Sequence, residues 1–81
     1  MNVRVLFFAA HRERLGTAET VATLPEGATV ADLISALRER GDVWETLPAE
    51  PAVAVNQRYA ARGAVLTDGD EVAVIPPVAG G

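Results

Sequence analysis

The strongest constraint on this 81-residue chain is one amphipathic helix near its middle, whose apolar stripe needs a second layer to lie against. After Pro25-Glu26-Gly27, Thr29 is placed as an N-cap with Asp32 as its capping-box partner, and Val30, Leu33, Ile34 and Leu37 recur at helical spacing. Arg38 and Arg40 fall in the last turn, where cations suit the helix dipole, and Gly41 is placed to be the C-terminal cap. The covering layer has to come from the rest of the chain, which is patterned mainly with the period of strands.

Residues Asn2 to Phe8 alternate, with Val3, Val5 and Phe7 on one face and Arg4, Leu6 and Phe8 on the other. His11 to Gly16 makes a short helical turn, and Glu19 to Leu24, with its β-branched Thr20, Val21 and Thr23, is a second strand stopped by Pro25. Asp42 to Pro51 reads as a helical turn plus loop that packs Trp44 on the core. Ala52 to Asn56 is a third strand, Asn56-Gln57 can turn, Leu66 belongs to a short extended stretch, and Thr67-Asp68-Gly69-Asp70 turns into a last strand, Glu71 to Ile75. Strands at both ends around a central helix predict an α+β fold: a mixed sheet with the main helix across one face, the ubiquitin-like β-grasp layout. The expected organisation is a domain over residues 1–75 and a flexible C-terminal tail over 76–81.

Composition narrows the chemistry. A chain of 8.5 kDa buries only about 60% of its unfolded surface, enough for one small core and too little for a deep catalytic cleft. Cysteine is absent, which removes disulfides, thiolate ligands and Cys nucleophiles. His11 is the lone histidine and, set in a polar turn, reads as a surface residue; no His-based metal cluster or triad can be assembled, and no metal site is expected. Asp68, Asp70 and Glu71 read as turn chemistry rather than a calcium loop, and without lysine no phosphate-binding GxxxxGK[ST] loop exists. Seven Arg against eleven acidic residues give a net charge of −4, which argues against nucleic acid. The longest apolar run, Val5 to Ala10, is far short of the roughly 20 residues that span a bilayer, so a cytoplasmic chain with no membrane partner is expected.

The C-terminal Ile75-Pro76-Pro77-Val78-Ala79-Gly80-Gly81 is what remains to carry function. Two prolines stop the strand and send the chain out extended; Gly80 and Gly81 have no Cβ, so another protein can close around them and reach the terminal carboxylate. That carboxylate, with an ordinary pKa of about 3.3–3.7, is ionised at neutral pH and a poor electrophile until activated, for example by adenylation. This chain has no ATP site of its own, so an activating enzyme is implied. Strand parity also places Phe8 and Ile75 on the face away from the helix as an apolar patch near the exit of the tail.

Whole-chain features resemble the small subunit of molybdopterin synthase, the MoaD family of ubiquitin-like sulfur carriers. The matching segments are Val3-Arg4-Val5-Leu6-Phe7-Phe8-Ala9, Arg12-Glu13 with Gly16, Val55-Asn56-Gln57, and Leu66-Thr67-Asp68-Gly69-Asp70-Glu71-Val72-Ala73 leading into Ile75-Pro76-Pro77-Val78-Ala79-Gly80-Gly81. The resemblance implies that Gly81 is adenylated by an ATP-using enzyme of the MoeB type, receives sulfur from a sulfurtransferase as a thiocarboxylate, and donates it to cyclic pyranopterin monophosphate. Transfer would occur in the active site of a MoaE-type large subunit, within a heterotetramer. It further implies that Pro76, Pro77, Val78, Ala79 and Gly80 form the inserted tail, that Phe8, Tyr59 and Ile75 form the docking patch, and that no cofactor is bound by this chain. Two alternatives share the Gly-Gly end: a ThiS-like carrier for thiazole synthesis, and a ubiquitin-like protein modifier.

Overall fold

The computed structural model describes residues 1–77. In chain order it contains β1 (Asn2–Phe7), α1 (Ala9–Leu15), β2 (Glu19–Thr23), α2 (Val30–Arg38), a 3-10 helix (Asp42–Thr46), β3 (Ala52–Val55), β4 (Arg58–Ala60) and β5 (Glu71–Ile75). The strands form one sheet in the order β2-β1-β5-β3-β4, with β1 and β5 parallel at its centre and the other pairs antiparallel. This is the expected β-grasp arrangement, and it joins the two ends of the chain side by side.

Parity explains the core. Register sets Val5 beside Val72 and Val53 beside Val74, and these four side chains, with Val3 and Phe7, are buried on one face of the sheet. Val30, Leu33, Ile34 and Leu37 of α2 complete the same cluster, each full burial being worth roughly 1.5–3 kcal/mol. The start of α2 is fully hydrogen-bonded. Thr29 Oγ1 accepts from the Asp32 amide at 3.2 Å, and Asp32 Oδ2 accepts from the Thr29 amide at 2.9 Å. The Val30 and Ala31 amides donate to the carbonyls of Ala64 and Arg62, so the 62–66 segment serves as a cap from outside the helix.

Four expectations need correction. Phe8 is not a strand residue; it is the N-cap of α1, because the chain turns sharply at Ala9, whose φ is +47°. Helix α2 ends two residues sooner than Gly41 implies: Glu39 is its C-cap, and Gly41, at φ +77°, leads the 3-10 helix instead. Arg40 therefore leaves the helix end, lies 4.6 Å above the Trp44 ring, and donates to Thr20 Oγ1 and the Val21 carbonyl. The extended stretch at Leu66 is present, with Val65 bridged to Thr29 and the Leu66 amide donating to the Ala28 carbonyl, but a strand not expected from the sequence lies earlier, at β4. Trp44 does pack as expected, edge-on to Phe7 with centroids 5.7 Å apart.

Candidate functional site

The face of the sheet opposite the core divides into two halves, and register dictates both. Arg4 lies beside Val21 on β2 and Glu71 on β5; its guanidinium pairs with Glu71 and with Glu19, so this end is charged. Two residues further along β1, Leu6 sits beside Ala73, Ala73 beside Ala54, and Ala54 beside Tyr59. One pair beyond, Ile75 faces Ala52, with Phe8 just past the end of β1. An apolar band thus crosses four strands at the end of the sheet where β5 runs out towards the C-terminus.

Exposure follows the same line. Phe8 is 47% exposed and Tyr59 82%, while Ile75 and Pro76 are half-buried. Beside Ile75 the surface dips into a hollow of about 410 Å³ between Pro76-Pro77, the 48–52 segment and Tyr59, with His11 in its wall. The structure therefore brings Phe8, Tyr59, Ile75, Pro76 and Pro77 to one end of one face. Val78, Ala79, Gly80 and Gly81 lie outside the described residues.

His11 is not at the surface as its polar neighbours imply: it is 3% exposed, and its Nε2 has no hydrogen-bond partner among the described residues. Burial, and then the Arg14 charge, push its pKa below 6.5, against an opposing hydrogen bond to the Ile75 backbone. The signal that places it inside is its spacing from Leu15, four residues on, which is also buried on the inner side of α1.

Asp70 has a structural task. It is nearly buried, accepts from the Thr67 amide at 2.8 Å and from Asn56 Nδ2 at 2.9 Å, and those bonds hold its carboxyl below the ordinary 3.8. Asn56 in turn accepts from the Glu71 amide through its side chain and donates its own amide to the Glu71 carbonyl. The acidic turn is thus the clasp that sets β5 against the β3–β4 turn. Among the described residues no group of three or more His, Cys, Asp or Glu side chains could hold a metal ion.

Fold and face together define a ubiquitin-like β-grasp domain with an apolar band at the root of its C-terminal segment. The chain belongs to the ThiS family, whose model matches residues 5–81, and within it to the molybdopterin synthase sulfur carrier subunits. It is 41% identical to the molybdopterin synthase sulfur carrier subunit of Escherichia coli (strain K12), the match covering 98% of this chain and 99% of the relative. The corresponding subunit of Chlamydomonas reinhardtii is 36% identical, with both chains wholly covered. Among solved structures, SAMP1 of Haloferax volcanii, a small archaeal modifier protein, superposes with a TM-score of 0.85 at 29% identity over the whole of both chains.

Proposed function

We propose that this chain carries sulfur on its own C-terminus for molybdopterin synthase. The Gly81 carboxylate attacks the α-phosphorus of ATP in a MoeB-type activating enzyme, and pyrophosphate leaves. A sulfur nucleophile supplied by a sulfurtransferase then displaces AMP to give the thiocarboxylate. Inside a MoaE-type large subunit that sulfur bonds to cyclic pyranopterin monophosphate, and water cleaves the acyl–sulfur bond to leave the sulfur on the pterin and regenerate the carboxylate; two such transfers make the dithiolene. Gly80 and Gly81 suit this route because a chain without Cβ atoms fits a narrow channel.

The observation that carries the reading is the apolar band of Leu6, Phe8, Ala73, Ile75 and Tyr59 at the base of Pro76-Pro77. Such a band on a small acidic domain suits a protein partner that receives the segment beyond it. The relatives' shared description as a subunit of a synthase supports a large-subunit partner of that kind.

Intact mass of the chain isolated without reductant tests the proposal. Replacement of one oxygen by sulfur, lost on deletion of Gly81, is the expected result; an unmodified chain with thiazole synthase or isopeptide-linked proteins as its companions would overturn it. The likeness to a small archaeal modifier protein favours a second reading, in which the same activated Gly81 is conjugated to lysine amines. Isopeptide-linked adducts in place of a thiocarboxylate would select it.

A further inference from the structure

We propose that His11 is a positioning residue for the docking face: its neutral imidazole holds Phe8 and Ile75 in place for a partner, and protonation in mildly acidic solution releases them. The inference rests on the docking role proposed above and adds a dependence on pH.

The geometry places one residue against both patch residues. The His11 amide donates to the Phe8 carbonyl at 3.1 Å, so any shift of His11 along α1 displaces the N-cap on which the Phe8 ring is mounted. On the other side, the imidazole is buried and shares the wall of the hollow with Ile75, Pro76 and Pro77. His11 is thus wedged between α1 and the last residues of β5, at the point where the chain leaves the sheet.

The two protonation states differ in how well that wedge fits. A neutral imidazole has one N–H donor and one acceptor, and an acceptor left alone in an apolar wall costs little by comparison with a charge. Protonation turns Nε2 into a second donor, yet that atom is buried and without a partner among the described residues. The surrounding charges do not offset this. On α1, Arg14 repels the cation, while Arg12 and Glu13 are exposed. Across the hollow, Glu50 is engaged by Arg62, and Tyr59 is exposed. Asp42 and Glu45, on the 3-10 helix packed against α1, are at or near the surface. The cation is best accommodated by letting α1 and the end of β5 part so that Nε2 reaches water. Histidine is also the side chain whose ordinary titration falls between pH 5 and 8, and this chain has one.

The test measures the affinity of the full chain for a molybdopterin synthase large subunit at pH 8.0 and pH 5.5, for the native protein and for His11→Gln. Glutamine keeps an N–H donor of similar size and does not titrate. The expected ratio of affinities between the two pH values is about twofold or more in the native chain and close to unity in His11→Gln, a comparison that cancels titration of the large subunit itself. Equal ratios in the two proteins overturn the proposal. Backbone amide shifts of the free chain supply a second readout that needs no partner. The Phe8 and Ile75 amides should move with the midpoint of the imidazole in the native chain and stay still in His11→Gln; amides that ignore the imidazole overturn the proposal. A native chain that fails to bind at pH 8.0 but shows co-titrating amides would overturn the large-subunit reading while leaving the switch in place.

Discussion

Gln57 occupies the second place of the two-residue turn between β3 and β4 with φ +70°, after Asn56 at +50°. A turn with both central residues left-handed favours Asn-Gly, because a residue with a Cβ costs roughly 1–2 kcal/mol there. Asn56 is well chosen and is kept by its bonds to Asp70 and Glu71; Gln57 is not. Gln57→Gly should therefore raise unfolding stability by about 0.5–1 kcal/mol, read from the urea midpoint at unchanged m-value. Asp70 shows the opposite case, a residue whose removal strands its partners. Asp70→Ala leaves the Thr67 amide and Asn56 Nδ2 without their acceptor and should cost about 2 kcal/mol. Its pKa is lowered in the folded state, so its contribution is complete above the unfolded value of 3.8 and disappears as pH falls through the lowered folded value. His11 is also lowered, from 6.5, but as a base: the unfolded chain takes up the proton first, so stability is level above pH 6.5 and declines below it. Thermal midpoints at pH 7.5 and 5.5 should therefore differ more in the native chain than in His11→Gln.

At the scale of elements, legibility follows how local the determining interactions are. Helix α2 could be read because its capping box and its stripe are written within nine residues of each other, and Thr29→Ala should cost about 1 kcal/mol in denaturant unfolding. The end of the same helix was harder to place. Two arginines and a glycine match a helix C-terminus, yet Arg40 finds a better site over Trp44 and on the Val21 carbonyl, the latter a contact between residues 19 positions apart. β4 was missed for a related reason: Arg58 and Tyr59 are both exposed at the sheet edge, and three residues paired to β3 carry no alternation of their own. Phe8 illustrates the middle case. Alternation placed its side chain on the correct face, while the turn at Ala9 that ends the strand has no sequence signal, since alanine seldom takes positive φ. The burial of His11 depends on Ile75 and the 48–52 segment closing over α1, contacts that a polar run of Arg and Glu conceals.

For the molecule as a whole, the two faces of one sheet carry different obligations, and Phe8 separates them. It is an N-cap without a side-chain hydrogen bond, at a position where Asp, Asn or Ser would satisfy an amide of the first turn. Phenylalanine is thus a poor choice for stability, retained with about half its surface in water. If that surface exists for a partner, the fold should tolerate its loss. Phe8→Asp supplies the missing cap, worth about 1 kcal/mol, and gives up the half-buried ring, worth a similar amount, so unfolding stability should change by less than about 1 kcal/mol. Binding to the large subunit should weaken by about 2 kcal/mol or more, because a carboxylate would stand desolvated in an apolar band. Val74→Asp is the control from the opposite face. There the charge enters a fully buried position between Phe7 and Val53, and its cost is of the order of the whole stability of a small domain, so cooperative unfolding should vanish. Measuring both variants by thermal melting and by titration against the large subunit separates the two obligations. A Phe8→Asp chain that melts like Val74→Asp would place Phe8 in the core, and one that binds like the native chain would remove the outer face from the interface.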